Sequence, residues 1–133
     1  VAKPTYDYFA SLITLVESRL DQVKLKRIEY NPQRALFEIQ GSLANFDIRI
    51  KEIYSNKGRM FSYYIIEDRR VLVGFDNYPD RRALTQKHGE AFSEHMDELI
   101  PHKHGVDKLT LELTDEMSVE KFLAYVNDEL MGN

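Results

Sequence analysis

Phe9, Leu12, Ile13, Val16, Leu20 and Val23 fall at offsets of 3, 4, 7, 11 and 14 from the first of them, one apolar stripe at helical period. The pattern predicts a helix over 5–23, starting where the Thr5 hydroxyl, just after Pro4, can accept from the unpaired amides of the first turn. Beyond it the period drops to two. Residues 25–30 and 34–40 read as extended stretches around Asn31-Pro32-Gln33, a turn in which proline fixes φ and withholds an amide. Residues 41–45 read as a loop or bulge, and 46–51 alternates apolar and charged positions as a half-buried strand does. After the turn signal Ser55-Asn56-Lys57-Gly58, residues 60–67 and 71–75, parted by Asp68-Arg69-Arg70, complete a meander.

Asp76-Asn77-Tyr78-Pro79-Asp80 ends the meander. Residues 81–87 and 90–99 then read as short helices broken at His88-Gly89, and Pro101 ends the second by driving Ile100 out of the α region. Residues 108–114 alternate strictly, with Leu109, Leu111 and Leu113 on one side, as an edge strand would. Ser118 is placed to cap a last helix with the stripe Val119, Phe122, Leu123, Val126 and Leu130, Met117 acting as a staple on Phe122. The expected architecture is one α+β domain over 1–133. It has an antiparallel meander sheet of about five or six strands, with the N- and C-terminal helices packed on one face.

Composition narrows the chemistry. The 133 residues contain no Cys, which excludes a disulfide scaffold, a thiolate metal site and a cysteine nucleophile. No apolar run approaches a membrane span and no signal-peptide plan opens the sequence, so a cytoplasmic protein without membrane partners is expected. The net charge of −4 is unevenly spread. From Lys87 onward four basic residues stand against eleven acidic ones, a net of −7, which leaves +3 on the first 82 residues and allows a basic face beside an acidic tail. Gly-rich phosphate loops, nucleophile elbows and paired-histidine zinc helices are missing, and no cofactor is expected.

Titratable groups gather at two places. In Pro101-His102-Lys103-His104-Gly105 the two histidines stand two apart, which in an extended segment puts both imidazoles on one face. The spacing fits a solvated turn, a general acid/base pair, or a metal site with Asp76 as an oxygen ligand. Asp76-Asn77 sits where a strand ends, either facing a cleft or capping its own turn. His88 and His95 read as surface or partly buried residues, since Gly89 interrupts their helix. Arg49 and Lys51 share a parity opposite to that of Glu52 and form a cationic stripe for phosphate or solvent. The pairs Arg69-Arg70 and Arg81-Arg82, with Tyr63 or Tyr64 nearby, supply the charge and stacking used on single-stranded RNA.

Val73-Gly74-Phe75-Asp76-Asn77-Tyr78-Pro79, followed by Ile100-Pro101-His102-Lys103-His104, resembles the TumE-type toxin family of prokaryotic toxin–antitoxin modules. The match runs from about residue 46 to residue 105, and its motifs are an Asp-Asn-x-Pro turn after an aromatic-rich meander and a Pro-His-Lys-His-like segment. The resemblance implies a small cytoplasmic toxin paired with a helix-turn-helix antitoxin, and it carries over Asp76, Asn77, His102 and His104. The expected function is a toxin-like ribonuclease in which one of His102 and His104 deprotonates a ribose 2′-hydroxyl and the other protonates the leaving oxygen. Arg49 and Lys51 would neutralise the phosphorane, and Asp76 would orient an imidazole. A non-enzymatic module that binds a helix-turn-helix partner through its acidic C-terminal surface is the alternative, with self-association left open.

Overall fold

The computed structural model describes residues 3–132. Helix α1 (Tyr6–Arg19) begins where the Thr5 hydroxyl accepts from the Tyr8 amide at 3.2 Å. It ends four residues before the expected Val23, because Leu20 turns extended after its amide makes the last helical bond to Val16, and β1 (Asp21–Tyr30) starts at once. The side chain of Asn31 accepts from the amides of Gln33 and Arg34 at 2.9 and 3.0 Å and turns the chain into β2 (Ala35–Leu43). The expected loop at 41–45 shrinks to Ala44 and Asn45, since Gly41 to Leu43 pair with β3 (Phe46–Ser55). β4 (Gly58–Glu67) and β5 (Arg70–Asp76) follow, joined by Asp68 and Arg69, both at positive φ as a tight right-twisting hairpin requires.

Helix α2 (Arg81–His88), capped by Asp80, stops at Gly89, whose φ of 61° is left-handed. The helix expected over 90–99 is instead a 3₁₀ segment, Gly89–His95, and an irregular stretch to Leu99. Two three-residue strands close the sheet, β6 (His102–His104) and β7 (Leu111–Leu113), and α3 (Val119–Leu130) ends the fold under its Ser118 cap. The sheet therefore has seven strands, in sequence order and antiparallel throughout, rather than about five or six. His-Lys-His escapes an apolar-alternation reading because pairing with Gly74–Phe75–Asp76 defines β6. The strand expected over 108–114 is shorter for a local reason: Asp107 and Lys108 adopt positive φ in a 3₁₀ turn, and Leu109 stays 79% exposed.

Register sorts the side chains into two faces. Phe37, Ile39, Ile48, Ile50, Phe61, Tyr63, Ile65, Val73 and Phe75 join Phe9, Leu12 and Val16 of α1 and Phe122, Leu123 and Val126 of α3 in the main core. The opposite face presents two cross-strand rows. One runs Glu38, Lys51, Ser62, Asp76, His102; the other runs Gln40, Arg49, Tyr64, Gly74, His104. Ala83 and Leu84 of α2 form a small second core with Ile100, Phe92 and Leu111 at the β6–β7 end. No helix among the described residues is long and apolar enough to cross a membrane.

Candidate functional site

The two rows bring Asp76, His102 and His104 together because β5 and β6 pair with Asp76 opposite His102 and Gly74 opposite His104. Strand alternation puts both imidazoles on the face that carries the Asp76 carboxylate. Asp76 Oδ1 lies 3.0 Å from His102 Nε2, and Oδ2 lies 3.2 Å from His104 Nε2. Oδ2 accepts from the Tyr64 hydroxyl at 2.6 Å and Oδ1 from the Tyr78 amide at 3.0 Å. Gly74 makes the Tyr64 contact feasible: a Cβ there would come within 2.3 Å of the tyrosine ring, which needs that space to cross β5.

The two histidines differ. His102 is fully buried, its Nδ1 lies 2.7 Å from the Ile100 carbonyl and donates to it, and its Nε2 has no aligned hydrogen bond although Asp76 is near. Burial opposes charge on His102, yet the Asp76 carboxylate outweighs it and holds the imidazole above its ordinary pKa. Burial likewise would raise Asp76, but His102, the Tyr64 hydroxyl and the Tyr78 amide reverse the sign and hold it below the usual carboxylate value. The two shifts agree on an ion pair. His104 goes the other way. Burial, helped by His102 and Arg82, outweighs Asp76 and lowers its pKa, so its imidazole is neutral at neutral pH.

His104 also lines a cleft of about 280 Å³ with Ser62, Tyr64, Tyr78, Asp80, Arg82 and Lys108. Arg82 Nη2 sits 3.4 Å from His104 Nδ1, and its Nη1 donates to the Lys108 carbonyl at 2.9 Å. The Lys108 ammonium lies 4.8 Å from the centre of the Tyr64 ring. A left-handed backbone at two successive non-glycine residues costs of order 1–2 kcal/mol each. Here the Arg70–Asp107 ion pair and the Arg82 bond hold Asp107 and Lys108 in it, which aims Lys108 at the cleft. A second groove, with Arg49, Lys51 and Glu38 in its lining, shares Ser62, Tyr64 and Lys108 with the cleft and continues it across the sheet.

Several sequence-derived assignments move. Tyr63 is not a stacking surface; it is fully buried on the helix-covered side, with its hydroxyl on Glu52. Asn77 is a clamp rather than a reactive group, because its Oδ1 accepts from the Phe61 amide at 2.9 Å and its Nδ2 donates to the Arg59 carbonyl at 2.8 Å. His102 has no exposed surface through which a ligand could reach it, and it faces Asp76 from inside the sheet. Arg70 is paired to Asp107, Arg81 lies over the Phe92 ring, and Arg69 sits on the β4–β5 turn. Lys108 and Tyr78 were not singled out from sequence. Lys108 looks like one more position of an alternating stretch until the 3₁₀ turn reorients it.

Asp76 and the Nε2 atoms of the two histidines lie within 4.8 Å of one another, the spacing of a two-histidine, one-carboxylate cation site. Against a resident cation stand the Arg82 guanidinium beside the His104 ring and a carboxylate whose two oxygens already accept hydrogen bonds. What the arrangement offers is a neutral imidazole, oriented by a buried anion, at the floor of a cleft lined by Lys108 and by Arg82, which pairs with Asp80. No protein-family model, curated protein or solved structure matches this chain.

Proposed function

We propose that this chain is the toxin-like component of a prokaryotic toxin–antitoxin module and cleaves RNA with His104 as general base. The observation that carries the reading is the neutral His104 imidazole, backed by Asp76, in a cleft shared with Arg82 and Lys108. A proton on Nε2, facing Asp76, leaves Nδ1 as the acceptor on the cleft side, and the long 3.4 Å contact from Arg82 Nη2 gives way to the 2′-hydroxyl as that amine turns to the phosphate. His104 Nδ1 takes the proton of a ribose 2′-hydroxyl as the 2′ oxygen bonds to the adjacent phosphorus. The bond from phosphorus to the 5′ oxygen breaks, and the Lys108 ammonium gives the leaving oxygen its proton. Arg82 holds the non-bridging oxygens, whose charge grows in the transition state. Tyr64, largely buried, lines both the cleft and the Arg49–Lys51 groove along which the flanking strand would lie. A helix-turn-helix antitoxin is the proposed partner.

The test uses purified chain with RNA and DNA strands of one sequence. Cleaved RNA with 2′,3′-cyclic phosphate and 5′-hydroxyl ends, intact DNA, and no cutting by His104→Gln are expected. Intact RNA under a correctly folded wild-type chain would sink the reading, and cutting abolished by EDTA would move the step to a metal ion.

A further inference from the structure

A second histidine cluster lies away from the cleft, on the segment that leads into β6. His88 ends α2 and His95 ends the 3₁₀ segment, and Gly89 between them reverses the chain so that the two rings stack, with centroids 3.7 Å apart and planes 9° from parallel. Both rings face one carboxylate. Glu98 Oε1 is 2.9 Å from His88 Nε2 and 3.5 Å from His95 Nδ1. The three donor atoms lie within 4.8 Å of one another, and all three side chains remain partly open to solvent.

We infer that His88, His95 and Glu98 form a site for a divalent transition-metal ion of the zinc type. Two imidazole nitrogens and one carboxylate oxygen are a borderline-soft set suited to that class, and a water would complete four-coordination; because the stacked rings aim their lone pairs in parallel, the 41% exposed His95 ring would turn to meet an ion held by His88 and Glu98. The neighbouring charge does not bar it: Lys87 pairs with the other oxygen, Oε2, and is half exposed, so it can swing into water. At the histidine cleft, by contrast, Arg82 is anchored against the ring. A bound ion would fasten Gly89–His95 to the end of α2 and steady a stretch whose apolar support is the small core of Ala83, Leu84, Ile100, Phe92 and Leu111. That stretch delivers His102 and His104 to β6.

The experiment titrates zinc chloride into wild-type chain and into His95→Ala, Glu98→Gln and Asp76→Asn, by calorimetry and by thermal melting. One zinc per chain is expected for wild type and for Asp76→Asn. Affinity should fall by more than about a hundredfold in His95→Ala, since losing even an outer partner of a ligand costs about 10–100-fold. Zinc should raise the melting temperature of wild type and leave that of His95→Ala unmoved. His95 is 41% exposed, so its replacement leaves the fold intact. No zinc uptake by wild type, uptake unchanged in His95→Ala, or uptake lost in Asp76→Asn alone would each overturn the assignment.

Discussion

Glu52 and Asp76 are buried carboxylates on opposite faces of one sheet, and their surroundings show why burial alone does not make a reactive site. Glu52 lies beneath α1 and α3, where its oxygens accept from Tyr8 at 2.8 Å, Tyr54 at 3.0 Å, Arg59 at 3.1 Å and Tyr63. Arg59 is itself tied to the Met117 carbonyl and to Glu116. Every partner there keeps its proton near neutral pH, so the cluster is a fixed structural knot. Asp76 has partners of another kind. One imidazole is buried with its pKa raised by Asp76, the other has its pKa lowered by burial and lines a cleft, and a group that titrates near neutrality beside a cleft can carry a proton to a ligand.

Breaking the accessible half of this comparison is expected to have the largest effect. His104→Gln lowers RNA cleavage by about 10²–10⁴-fold, the usual contribution of a positioned base, with the cooperative melt retained. Initial rates alongside circular dichroism measure it, and an equal rate loss from a change at Glu52 would erase the distinction drawn here. Glu52→Ala is expected to cost about 3–5 kcal/mol of folding stability, because the buried Tyr54 and Tyr63 hydroxyls and the inner side of the half-buried Arg59 guanidinium lose their shared acceptor. Urea denaturation gives the value; a loss below about 1 kcal/mol would place the knot among surface ion pairs. Gly74→Ala comes next. Its methyl would displace the Tyr64 ring, at about 1–3 kcal/mol of overpacking, and free the phenol from Asp76, which the Tyr64 ring resonances report.

The smallest effects come from pH, and they separate the faces again. The proposed cleavage would require neutral His104, whose pKa lies below 6.5, so the acid limb of its rate profile is expected below pH 6.5. The Tyr8, Tyr54 and Tyr63 phenols are raised above 10 by burial and then by the Glu52 charge. The folded state holds those protons more tightly than the unfolded chain does, so their contribution is complete below pH 10 and is lost as pH rises past it. Denaturation midpoints across alkaline pH check this; a flat profile to well above pH 10 would contradict it.

The sequence was most legible where one face of an element is buried. The α1 stripe, the α3 stripe with its Ser118 cap, and the alternation of 46–51 each report a side chain's fate locally, because the core takes every second or every third-to-fourth residue. Parity alone separated Arg49 from Glu52, and the two do lie on opposite faces. It could not decide between Tyr63 and Tyr64: adjacent, identical in chemistry, one ends in the core and the other at the cleft. β6 was illegible for a related reason, since a polar three-residue strand exists only through its partners.

What the sequence determined by itself is the meander, the two amphipathic helices and a His-x-His element whose imidazoles share a face in extended backbone. These follow from periodicities that each segment carries within itself. What the tertiary structure decided is which face Asp76 shares with those imidazoles, that His102 is sealed while His104, itself buried, lines the cleft, and that His88 and His95 meet across Gly89. Such outcomes depend on strand register and chain reversal. A β5–β6 pairing shifted by one residue would have sent His102 and His104 to the face away from Asp76.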